Sequence, residues 1–146
     1  MKKTLNKIKR VKPLIKSKKA DFDREVSIFE QIKFEKIEAI NHLRQNQQKY
    51  LDGANQMNSE REKGNFQAAS VLEPSLEYVK SKWHESLKNV QTLENKQDEQ
   101  LKKVMSAQSE LKSFEALEEK YIEEFKKIEK LNEQKALDEL ASMRQI

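Results

Sequence analysis

From Leu76 to Ile128 the chain keeps one seven-residue apolar register without losing phase, and few folds can use such a pattern. Leu76, Trp83, Val90, Val104, Leu111 and Phe125 fall in one row of the repeat, and Val79, Leu93, Ala107, Phe114, Tyr121 and Ile128 in the other. Only Ser86, Gln97, Gln100 and Glu118 interrupt them, so 12 of 16 positions are apolar where a 36% hydrophobic composition would fill about six by chance. A 3.5-residue spacing held over more than seven repeats keeps one stripe turned to one side of a long helix, which then needs another helix running beside it.

Composition leaves little room for anything else. The 146 residues include only two Gly and two Pro, and 37% are charged. Two long elements and one connection are what so few breakers allow, and a globular enzyme of this size would need several turns. The absence of cysteine excludes disulfides, thiolate metal sites and a cysteine nucleophile. No apolar run reaches the roughly 18 residues of a membrane span, and the first residues lack the apolar stretch of a secretory signal. The expectation is a cytoplasmic protein without direct membrane insertion.

Charge is uneven along the chain. Nine Lys and Arg and no acid lie within residues 1–20, while residues 110–139 hold ten acidic and six basic side chains. An antiparallel hairpin brings these stretches together, where attraction through water sets register more than stability.

The breakers divide the chain into two arms. Pro13 suits the first turn of a helix, and no breaker follows until Gly53, which predicts a basic segment over 1–12 and a first arm over about 13–52. Phe22, Val26, Phe29, Ile32, Ile37, Ile40, Leu43 and Tyr50 form its apolar face, with Glu25, Lys33, Glu35 and Arg44 largely off it. Residues 54–63 either continue this helix to Gly64 as its C-terminal cap or loosen after Asp52-Gly53, so the turn region is 53–65. Asn65 is an N-cap candidate for a helix resuming at Phe66, with a kink or brief break at 73–74 caused by Pro74. The fold class is therefore all-α, an antiparallel two-helix coiled-coil hairpin with a longer C-terminal helix, a single domain over 13–146. Its second arm, about 70 residues, is on the order of 100 Å long. With a turn centred near 59–64, Tyr121, Phe125, Ile128, Leu131, Leu137, Leu140 and Met143 have no partner arm beyond what Leu5, Ile8 and Val11 cover, and an exposed apolar stripe of that kind is a binding surface.

No catalytic constellation, metal set or cofactor loop is present. His42 and His84 lie on opposite arms outside any HExxH pairing, two glycines cannot build a phosphate cradle, and the carboxylates are spread as helix-face charges such as Glu123 with Lys127. Trp83 sits at a seam position, where it is either core packing or a partner's anchor. The basic run 2–19 is a solvated or internally paired end, or a surface for nucleic acid or acidic lipid; it has no interleaved aromatics for base stacking.

The opening Arg10-Val11-Lys12-Pro13-Leu14-Ile15-Lys16-Ser17-Lys18-Lys19, followed by Asp21, Arg24 and Glu25, resembles the basic Pro-Leu entry into the first helix of the FliJ family of flagellar type III export proteins. Leu43 to Gln48-Lys49-Tyr50-Leu51 resembles its approach to the hairpin turn. Phe114-Glu115-Ala116-Leu117-Glu118-Glu119-Lys120-Tyr121 and Leu137-Asp138-Glu139-Leu140-Ala141-Ser142-Met143-Arg144 resemble its C-terminal stretches. Injectisome counterparts of the YscO group share the layout.

The resemblance implies a soluble, stalk-like component of the export machine, peripherally associated with it at the inner membrane, with no enzymatic activity and no cofactor. Its implied partners are a hexameric export ATPase, the cytoplasmic domain of the membrane export gate and export chaperones, and not nucleic acid. The ATPase-binding residues it implies are Lys9, Arg10, Lys12, Tyr121, Phe125, Ile128, Leu131, Asp138, Glu139 and Arg144. Those implied for the gate are Leu43, Tyr50, Leu72, Leu76, Val79 and Trp83, with Ala39 and Asn46 standing where the family has larger or more polar contacts. The alternatives are a self-associating structural coiled coil and, behind it, a basic-tailed nucleic-acid binder.

Overall fold

A computed structural model describes residues 1–144, and they form two helices packed on each other, α1 (Lys2–Glu62, 61 residues) and α2 (Phe66–Arg144, 79 residues), with no strand among the described residues. The connection is three residues long. Gly64 adopts φ +79°, the left-handed conformation that glycine enters without steric cost, and this ends α1. Its amide donates to the Arg61 carbonyl at 3.1 Å and the Asn65 amide to the Glu60 carbonyl at 2.8 Å, the paired bonds of a Schellman cap. The Asn65 carbonyl then accepts the Ala69 amide at 3.1 Å and opens α2. Of the two turn geometries the sequence allows, the continuous one is observed.

Packing divides the chain into two units. Unit 1 comprises Met1–Val26 with the stretch from Lys103 onward, and unit 2 comprises Ser27–Lys102. Within unit 2 the helices run antiparallel in a register fixed by Lys36 with Glu94 and Gln97, Asn46 with Ser86, and Tyr50 with Trp83, the two numbers of each pair adding to about 130. Within unit 1, Lys7 with Tyr121 and Lys18 with Glu110 give nearly the same value. This register is later than the one expected from a turn near 59–64, because α1 continues through Gly53 to Glu62.

All 16 positions of the α2 repeat are buried or half-buried, including its four polar members, and Gln100 is only 5% exposed. On α1 the same seven-residue spacing governs burial. In unit 1 it takes Thr4, Ile8, Val11, Ile15, Lys18, Phe22 and Glu25; in unit 2 it takes Phe29, Ile32, Lys36, Ala39, Leu43, Asn46, Tyr50, Gly53 and Met57. Glu25 therefore lies on the seam, and Ile37, read as part of the apolar face, is exposed.

Pro13 departs from its sequence expectation, while Pro74 and Gly53 follow the continuous alternative that the sequence left open. Helix α1 begins at Lys2 and not near Pro13, and α2 passes Pro74 without a break. Both prolines sit two residues after one seam position and two before the next, the outermost place on the helix, so the carbonyls that lose a donor face water and the buried side keeps its ladder. Gly53 is helical, not a turn residue: a Cβ there would stand 3.0 Å from Leu76 Cδ1, so the missing side chain lets α2 come close.

Candidate functional site

The residues expected to meet the gate all belong to unit 2, and the structure turns them toward the opposing helix. Leu76 is buried, while Leu43, Tyr50, Leu72, Val79 and Trp83 are half-buried. The Tyr50 and Trp83 rings lie 5.3 Å apart and 30° from parallel, a tilted stack across the seam, and His84 stacks against Trp83 at 5.6 Å. Trp83 thus packs within the seam and keeps one edge in solvent. Beside this cluster, an open groove of about 500 Å³ is lined by Ala39, His42, Asn46, Lys82, Glu85, Ser86 and Asn89. It exists because small side chains occupy the seam there, and the Asn46 amide spans it to the Ser86 hydroxyl at 2.6 Å. Lys49, Asp52, Gln56, Ser75 and Leu76 line a second open recess next to Gly53. Outward apolar residues of this stretch include Leu51, Phe66 and Leu87 together with Val71 and Tyr78, the last two of which the sequence reading did not single out. Tyr78 carries the Lys82 ammonium 5.6 Å from its ring centre.

The residues expected to meet the ATPase all belong to unit 1, and they separate into covered and uncovered sets. Tyr121, Phe125 and Ile128 are half-buried, because α1 is helical from Lys2 and lays Thr4, Ile8 and Val11 along them. Val11 is 2% exposed and the Lys7 ammonium stands 5.4 Å from the Tyr121 ring centre. These three are thus covered by the first residues of α1, the exception the sequence allowed through Leu5, Ile8 and Val11, of which Ile8 and Val11 are buried. The Asn132 amide donates to Met1 Sδ at 3.2 Å, and beyond it every described residue of α2 is exposed. Leu131, Leu137, Leu140 and Met143 are 61%, 66%, 57% and 72% exposed.

The seam ends there for a reason written in the chain. After Ile128 the next positions in phase are Asn132, Lys135, Glu139 and Ser142, none apolar. Leu137, Leu140 and Met143, spaced by three, fall outside that phase. They form a separate apolar face, with Asp138, Glu139 and Arg144 exposed among them.

Electrostatics in unit 1 centre on Lys18. Its ammonium donates to Glu110 Oε2 at 2.9 Å and lies 6.0 Å from the Phe114 ring centre, and the side chain is 30% exposed. The Glu110 hydrogen bond, then its charge, hold the Lys18 pKa above the usual lysine value, with a smaller contribution from Asp21 and an opposing one from burial. Lys9, Arg10 and Lys12 are exposed, and among the described residues none of them pairs with a carboxylate. Among the described residues no group of three or more His, Cys, Asp or Glu converges on a metal-sized space, and no helix is long and apolar enough to cross a membrane.

Two long helices in antiparallel register, sealed by a heptad seam and capped by one glycine, make this an all-α coiled-coil hairpin protein. The flagellar FliJ protein family model matches residues 7–146, and the chain belongs to that family. It is accordingly a component of flagellar type III protein export. No curated protein and no solved structure matches it.

Proposed function

We propose that the hairpin couples the export ATPase to the export gate, with export chaperones as further clients, and that its two stretches of unusual surface divide the work. The observation carrying this reading is the apolar face of Leu137, Leu140 and Met143, left exposed after the seam has run out of phase, with Leu131 exposed just ahead of it. Exposed leucines at helical spacing on a single projecting helix fit a groove on another protein, where each buried side chain contributes on the order of 1.5–3 kcal/mol. Lys9, Arg10 and Lys12 together with Asp138, Glu139 and Arg144 supply a polar rim that orients the ATPase contact. Tyr121, Phe125 and Ile128 support this contact mainly as the packing that holds the end of α1 in place. A second copy of the chain is a poorer occupant, since four apolar side chains fall well short of the roughly 800 Å² per partner of a stable interface.

The gate contact is assigned to the exposed edges of Leu43, Tyr50, Leu72, Val79 and Trp83 along the groove at Ala39 and Asn46, with Leu76 beneath them as packing. Coupling then requires that each partner favour one state of the other, a differential affinity and not contact alone.

The test is a pull-down with the cognate ATPase using the full chain, a chain shortened after Asn132, and Leu137→Ser/Leu140→Ser/Met143→Ser. Both variants keep helical circular dichroism and lose the ATPase. Undiminished capture by either would remove the apolar face from the interaction.

A further inference from the structure

The spacing that buries Thr4, Ile8, Val11 and Ile15 also sorts the outward residues of α1 into rows. Lys2, Lys9 and Lys16 make one row, Lys3 and Arg10 the next, and Lys12 and Lys19 a third. All seven side chains are exposed, and among the described residues none reaches a carboxylate. The first acid on α1 is Asp21, and the longest row turns acidic at Asp23. Residues 2–19 thus form about 25 Å of helix whose outward charges are all of one sign, the uncharged row of Asn6, Pro13 and Ala20 lying between the first two basic rows. Leu5 at its margin is the one large apolar side chain in these rows, and no aromatic lies in them.

We propose that this side of α1 docks on an anionic lipid bilayer, lying along the headgroups without inserting. The seam holds the helix with its cations facing away from α2, so a planar surface meets all three rows at once, whereas a shaped protein site would need an anchor that the rows do not offer. Attraction of this kind accumulates at about fivefold in partitioning per Lys or Arg near the surface and is screened beyond about 8–10 Å at physiological salt. With no apolar face toward the lipid, the helix rests on the interface and does not sink into it. Duplex nucleic acid is a poorer match: its major groove, about 12 Å wide, admits one helix, and in this unit α1 carries α2 alongside it. Single strands call for stacking rings, which the rows lack.

This inference goes beyond the coupling role, with Lys9, Arg10 and Lys12 shared between the two surfaces. Its test uses Lys2, Lys3, Lys16 and Lys19, which the ATPase contact does not employ. The full chain is sedimented with vesicles of phosphatidylcholine containing about one-third phosphatidylserine, a content that gives a strongly negative surface, and with pure phosphatidylcholine. Binding to the anionic vesicles alone, falling at least about tenfold as screening rises, is the expected result. Lys2→Glu/Lys3→Glu/Lys16→Glu/Lys19→Glu then lowers it by about two orders of magnitude or more while helix content and ATPase capture persist. Equal binding by the variant, equal binding to neutral vesicles, or tighter binding to duplex DNA than to anionic vesicles at the same salt overturns the proposal. Loss of the ATPase alone in the Leu137, Leu140 and Met143 variant leaves it untouched.

Discussion

Asn46 and Ser86 meet across the seam of unit 2, the Asn46 amide donating to the Ser86 hydroxyl at 2.6 Å while that hydroxyl donates onward to the Lys82 carbonyl at 3.0 Å. Both polar groups are satisfied, so the layer costs little as it stands and a great deal if the helices slip. Shifted by one heptad, Asn46 would face Val79 or Leu93 and the hydrogen bond would be lost. Asn46→Ala therefore destabilises the hairpin by about 1–2 kcal/mol. Replacing both by leucine raises the melting temperature but relaxes register and oligomeric state, as loss of a polar seam layer does in coiled coils. Thermal circular dichroism with light scattering reads both effects; a double variant that remains strictly monomeric would show that the layer does not specify pairing.

Gly53 invites a graded series. In mid-helix, alanine gains about 1 kcal/mol of helix propensity over glycine, and here the new methyl meets Leu76 Cδ1 at 3.0 Å. The Leu76 side chain can yield a few tenths of an ångström, so Gly53→Ala should be close to neutral. Gly53→Leu has no such escape and should lose about 1–3 kcal/mol. Urea denaturation monitored at 222 nm distinguishes them, and a stable leucine variant would mean the helices do not approach closely there.

Trp83 is the sole tryptophan and stacks on Tyr50, so its fluorescence reports pairing of the helices in unit 2. Unfolding followed at this ring should coincide with unfolding of that unit. Trp83→Ala should cost about 2–3 kcal/mol, below the fully buried range because one edge is already wet. Retained stability together with loss of the gate would instead mark Trp83 as a contact residue with no packing role.

For Lys18 the sign of the pH dependence follows from its raised pKa. A lysine whose folded value exceeds its unfolded value, 10.5, contributes stability that is fully present below that pH and is lost as pH rises through the folded value. The stability gap between the parent chain and Lys18→Met should be flat from neutral pH upward and close only above the unfolded lysine value. A gap that narrows near neutrality would place the titration on another group.

Much of this architecture could be read from α2, whose seam is apolar enough for its period to show. The matching period on α1 was harder to see, because Lys18, Glu25, Lys36, Asn46 and Gly53 occupy five of its sixteen positions and hydrophobicity alone cannot register them. Their qualification is reach or smallness: lysine stems cover the seam while their ammonium groups find Glu110 or Glu94, and Gly53 admits Leu76. Two glycines offered two places to turn. Only the one followed by an N-capping asparagine does so, since the other has a neighbour that needs its space. Both prolines read as boundaries because local rules weigh them without knowing that they face water. Of the surfaces, the apolar stripe beyond Leu131 was legible as unpaired residues, but the loss of phase at Asn132 separates it from Tyr121, Phe125 and Ile128.

That loss of phase has a consequence for how such a chain can change. Because the last described turns of α2 hold no α1 residue in place, substitutions among Leu137, Leu140 and Met143 are nearly free of any folding penalty. Selection on recognition and selection on foldability therefore act on separate stretches of one helix, and the tail can be retuned to a drifting partner while the hairpin stays as it is.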